Sequence, residues 1–133
     1  MQTGIVRQVC LAACLWMAAS AAAQEGHPLK GTWSGDWGPS AQHRNPVTVI
    51  MDWNGKEITG AINPGPGSVP FKKATLDPAT WTVRIEAEAK DRSGKPVQYV
   101  IEGKLENLGS ARRSLVGTWV HDNVKGDFRI TRY

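Results

Sequence analysis

One pattern constrains this chain more than any other. Apolar side chains recur at every second position, and no segment carries a sustained helical period. Trp81, Val83, Ile85, Ala87 and Ala89 fall on one side of an extended segment, with Thr82, Arg84, Glu86 and Glu88 on the other. A pleated strand sends successive side chains to opposite faces, so this segment has one dry face and one wet one. Residues 97–105 repeat the pattern, Val97, Tyr99, Ile101, Gly103 and Leu105 alternating with Gln98, Val100, Glu102 and Lys104. Six further strands read more faintly, over 30–37, 47–53, 56–62, 69–76, 115–120 and 126–132. The 69–76 segment is the poorest, interrupted by Pro70 and by Lys72-Lys73.

The connections agree with eight strands. Asn54-Gly55 predicts a two-residue hairpin loop, because both residues tolerate positive φ. Asp77-Pro78-Ala79 and residues 91–96 are turn sequences, and Asn63-Pro64-Gly65-Pro66-Gly67-Ser68 predicts a surface loop. Residues 38–45 and 107–114 read as longer polar loops. A meander of eight short strands leaves two open edges unless it closes on itself, and closure into an up-and-down barrel satisfies them. The expected fold is therefore all-β, an antiparallel meander barrel of about eight strands, with a two-sheet sandwich as the alternative. Strands of about seven residues are shorter than the ~9–11 that cross a bilayer. Counting back from Tyr133 by twos reaches Thr131, Arg129 and Asp127, not the apolar Phe128 and Ile130, so a membrane barrel ending in an aromatic residue is not expected.

The first 23 of the 133 residues stand apart. Arg7 is followed by an uncharged apolar run that ends on Ala21-Ala22-Ala23, the form of a signal peptide cleaved after Ala23. The run is shorter than the ~20 residues of a membrane span. A competing reading takes Leu11-Ala12-Ala13-Cys14 as a lipobox, which would lipidate Cys14, but too little apolar sequence separates Arg7 from that cysteine. The expectation is an exported protein, periplasmic or secreted, with residues 1–23 as leader and 24–133 as one domain. Cleavage removes Cys10 and Cys14, leaving a domain without disulfides that depends on apolar burial. The net charge of +4 falls to +3 with Arg7, and lysines and arginines are scattered, so no nucleic-acid footprint is expected.

Gly31-Thr32-Trp33 opens the first strand of this eight-strand meander. In that position Gly-x-Trp resembles the calycin group: lipocalins, avidins and their bacterial relatives. The resemblance implies an eight-stranded barrel with a small apolar ligand site. It also implies that Trp33 plugs a closed end and that an arginine of the last strand, Arg129 or Arg132, packs across it. Gly31, Trp33, Arg129 and Arg132 are thus the expected structural signature. The chain lacks a Thr-Asp-Tyr motif and the polar ligand set of avidins, so biotin is not implied. Gly117-Thr118-Trp119 repeats the triplet, and a glycine beside tryptophan on an inner face leaves room for a bulky ring.

Functional chemistry is sparse. Five tryptophans lie beyond residue 23, and burial as core explains them as a group. Trp37, Trp53 and Trp81 fall at strand ends, and a barrel mouth lined by them would suit an apolar or planar ligand. With Tyr99 and Trp119 they form the candidate ligand-binding set. Inner-face glycines at Gly35, Gly60, Gly103 and Gly117 are expected to leave a cavity. His27, His43 and His121 lack metal-ligand spacing and read as tail or solvated turn residues. No nucleophile elbow or phosphate loop occurs, and Glu86 and Glu88 beside Arg84 read as cross-strand ion pairs. No catalytic residue, metal or cofactor is therefore expected, and the chain reads as a binding protein for a small apolar ligand. The alternative is a protein-binding module such as a periplasmic protease inhibitor. Some bacterial metalloprotease inhibitors are similar in plan, with a free N-terminal arm that residues 24–29 would supply here.

Overall fold

The computed structural model describes residues 27–133. The expected leader, its cleavage site, Cys10 and Cys14 lie outside these residues. Eight strands follow one another: β1 (Gly31–Ser40), β2 (His43–Trp53), β3 (Ile58–Ile62), β4 (Val69–Asp77), β5 (Thr82–Lys90), β6 (Pro96–Glu106), β7 (Ser114–His121) and β8 (Val124–Arg132). Each is antiparallel to the next, and β8 returns to β1, closing the barrel in sequence order. The β1–β8 seam runs from Trp33↔Arg132 to Gly38↔Asp127.

The alternation drives this closure. The inner positions Val47, Val49, Met51, Val83, Ile85, Ala87, Ile101, Leu105, Leu115, Trp119, Phe128 and Ile130 are all buried, with Trp33 and Leu29 among the most deeply so. The outer face carries ion pairs: Lys72 with Glu88 and Arg84 with Glu102 across neighbouring strands, Arg84 with Glu86 along β5, and Arg129 of β8 with Glu106 of β6 over the intervening β7. Several strands, at 9–11 residues, are longer than the pattern suggests. Length therefore no longer separates this barrel from a membrane-crossing one, but the faces do: the apolar set points inward and the charges point out.

Local differences from the sequence expectation have identifiable causes. Residues 38–45 are a tight hairpin rather than a long loop. Arg44 draws it together, its guanidinium reaching Asp36 at 2.6 Å, Asp127 at 2.7 Å and the Gly38 carbonyl at 3.3 Å. The Asn54-Gly55 hairpin is present, but its loop spans residues 54–57. Asn54 Oδ1 accepts from the amides of Lys56 and Glu57, and of the pair only Gly55 has a positive φ, of 92°. A β-bulge at residues 71–73 takes up an extra residue of β4. It keeps Val69, Phe71, Ala74 and Leu76 packed toward the core while Lys72 and Lys73 both stay exposed.

The inner-face glycines do not leave the expected void. Phe128 and Leu115 fill the space over Gly103, and Phe71 lies over Gly60. At Gly117 a Cβ would collide with the Glu102 carbonyl, so glycine there lets β6 and β7 approach closely.

Candidate ligand-binding cleft

The two ends of the barrel are built differently. At one end the chain enters through a turn at residues 27–30, and Leu29 is fully buried as a plug. Trp33 Nε1 donates to the Leu29 carbonyl at 2.9 Å, and Arg113 donates to the Pro28 carbonyl at 3.0 Å. Arg132 lies opposite Trp33 in register, its stem covers Gly31, and it donates to the Lys30 carbonyl at 3.3 Å. Gly31 adopts φ 137°, which side-chain-bearing residues rarely adopt. Of the two candidate arginines, Arg132 is the one that shares a face with Trp33 across the β1–β8 seam. Arg129 faces outward to Glu106 instead, because it falls on the opposite pleat. The expected free arm is also corrected from His27 onward: His27, Pro28 and Leu29 are folded against the barrel.

At the other end the inner face closes on aromatic rings. Trp37 stacks on Trp119 at 5.5 Å, Tyr99 stacks on His121 at 4.9 Å, and Trp37 meets His121 edge-on at 4.6 Å. Phe128 packs edge-on against Trp119. His121 is thus the inward-facing end of β7 and not a solvated turn residue. The turn is Asp122-Asn123, both at positive φ. Burial lowers the His121 pKa, outweighing the opposite pull of Asp122, and it raises that of Tyr99, with Asp122 adding to the rise. Trp119 Nε1 and His121 Nδ1 have no hydrogen-bond partner in this packed cluster.

The expected single mouth lined by Trp37, Trp53 and Trp81 is therefore split. Trp37, Tyr99 and Trp119 pack together at the aromatic end. Trp53 and Trp81 lie at the plugged end, beside a cleft of about 810 Å³. That cleft exists because β3 and β4 pair only at Ala61↔Pro70 and Ile62↔Val69. Pro70 has no N–H to give, and beyond it the two strands share no further ladder pairs. The walls are Ile58, Thr59 and Gly60 from β3 and residues 71–76 from β4, with Trp53, Trp81, His27 and Pro28 across the lower end.

Local chemistry holds these walls in place. His27 stacks on Trp53 at 4.7 Å, with the rings 13° from parallel. Its Nδ1 accepts from the Leu29 amide at 3.2 Å, which requires that nitrogen to be unprotonated, and burial lowers its pKa in the same direction. Trp81 precedes β5 rather than opening it. It adopts φ 57°, a left-handed conformation costly for a bulky residue, and its carbonyl is tied down by the Leu105 amide at 2.9 Å. Phe71 and Leu76 were hidden from sequence reading by the lysine pair, and His27 by its place in an apparent tail. Among the described residues, no three His, Cys, Asp or Glu side chains converge as metal ligands would.

Comparison of the chain with protein-family models, with curated proteins and with solved structures finds no match. The eight-stranded closed barrel is compatible with a calycin-like fold and extends the resemblance no further than architecture.

Proposed function

We propose that this protein binds a small apolar ligand in the β3–β4 cleft, and that residues 1–23 export it to the periplasm or beyond. One observation carries the reading: a concave cleft of about 810 Å³ with Trp53, Trp81, Phe71, Ile58 and Leu76 among its walls. Small-molecule sites have volumes of roughly 300–1,000 Å³ and apolar walls with a few polar groups. The strained backbone at Trp81 supports it, since such conformations concentrate at ligand sites.

Titration with N-phenyl-1-naphthylamine, a neutral and planar fluorescent probe, tests the reading. Its emission should rise on binding. Trp81→Ala and Leu76→Asp should weaken binding about tenfold or more, while Trp37→Ala, at the opposite end, should not. Equal binding by all three variants would remove the cleft as the site. Mass measurement of the exported protein, expected to begin at Gln24, tests the leader.

One observation favours a protein partner instead. The facing edges of β3 below Ala61 and of β4 below Pro70 lack ladder partners, and such edges accept an extended segment as an added strand. Amide hydrogen exchange separates the readings. A strand-adding partner would protect amides of residues 72–76 from exchange, whereas a small apolar ligand would leave them unchanged.

A further inference from the structure

The cleft is mixed in character, with apolar and aromatic side chains beside charged and hydroxyl groups. Its lining includes three lysines, Lys56, Lys72 and Lys73, against a single carboxylate, Glu57. Lys72 is already engaged, with Nζ 3.1 Å from Glu88. Lys56 and Lys73 form no ion pair among the described residues, and both are exposed. The bulge in β4 is what produces this arrangement. In a regular strand one of two consecutive residues would turn inward, but the extra residue lets Lys72 and Lys73 both stay on the open side. Thr59 and Thr75 add hydroxyls to the same lining. His27, held neutral by its bond from the Leu29 amide, contributes a ring and no charge.

Resting on the cleft reading above, we infer that the ligand is an anionic amphiphile: an apolar body seated among Trp53, Phe71, Leu76 and Trp81, with a carboxylate or phosphate met by Lys56 and Lys73 at the rim. A cation on a flexible stem beside an apolar floor suits such a molecule, because the stem covers apolar surface while the ammonium stays at the water boundary. A neutral amphiphile forgoes this attraction, and a cationic one is repelled by it.

Displacement of N-phenyl-1-naphthylamine from the purified protein by four twelve-carbon probes decides the matter, all below their micelle concentrations: dodecanoate, dodecyl phosphate, dodecan-1-ol and dodecyltrimethylammonium. At least one anionic probe should displace about tenfold more tightly than the alcohol, and the cation most weakly. The stronger of the two anions names the headgroup. The advantage should shrink to about twofold in the Lys56→Gln/Lys73→Gln double variant and in about 0.5 M salt, and should persist in Lys125→Gln, which alters a lysine of β8. Equal displacement by the alcohol and both anions would overturn the inference while leaving the cleft reading intact. An anionic preference unchanged in the double variant would overturn the assignment to these lysines. If no probe is displaced and N-phenyl-1-naphthylamine itself does not bind, the cleft reading falls as well.

Discussion

Leu29→Ala tests how the plugged end contributes to stability. Leu29 is fully buried beneath the barrel, and its carbonyl is held by Trp33 Nε1. Truncation removes three carbons from a site walled by strands and by the Trp33 ring, which have little freedom to collapse inward. Substitutions of this kind cost about 2.7–5.0 kcal/mol, the upper part of the range applying where the cavity stays open. A single domain has only about 5–15 kcal/mol in total, so this one side chain carries a sizeable share. Urea unfolding followed by tryptophan fluorescence should show the midpoint falling with the slope unchanged, and the thermal midpoint should drop by about 10 °C or more. Ile50→Ala removes an aliphatic chain of the same size from the outer face of β2, where Ile50 is 40% exposed, and should cost well under half as much. If the two variants lost equal stability, or if Leu29→Ala cost less than about 1 kcal/mol, the 27–30 turn would be a surface appendage and not a plug.

Other expectations follow from the same geometry. His27 and His121 both have lowered pKa values, so the unfolded chain binds more protons than the folded one just below the ordinary histidine range; stability should be complete above about pH 6.5 and fall on acidification, read from urea midpoints at pH 7.5 and 5.5. His27→Gln should flatten part of that slope. Gly117→Ala should destabilise by about 1–3 kcal/mol, since the collision is with backbone of β6 that cannot rotate away, and a thermal midpoint within error of the parent would contradict this. Arg44→Gln should speed hydrogen exchange in the 38–45 hairpin, because that side chain joins Asp36 and Asp127 across three strands.

Much of the fold is legible in the sequence because alternation is a direct consequence of a dry inside and a wet outside. Of the ten inner residues read in Trp81 to Ala89 and Val97 to Leu105, nine lie in their strands with the expected parity, and only Trp81 itself leaves the strand. What the pattern hides depends on distant partners. Arg44 closes the first hairpin through Asp127, some eighty residues away in sequence, and nothing local announces that contact. The bulge in β4 disguised Phe71 and Leu76 because an inserted residue reverses parity, so the lysine pair looked like a broken strand. The separation of the tryptophans was recoverable. In a meander odd and even strands run in opposite directions, so the ends of β1 and β2 fall at opposite ends of the barrel, and the start of β5 lies with the end of β2. Trp37 therefore cannot share a mouth with Trp53 and Trp81. The cleft itself was not recoverable, because it depends on where two neighbouring strands cease to pair.

The seam between β1 and β8 has a consequence for timing. Arg132 covers Gly31, its amide donates to the Arg113 carbonyl, and Arg113 in turn holds the turn that carries Leu29. A chain emerging from the ribosome thus holds its plug and its first strand in waiting until the last strand arrives. The incomplete sheet has no local resting place as a finished barrel. Such a barrel has no closed form until β8 has joined β1.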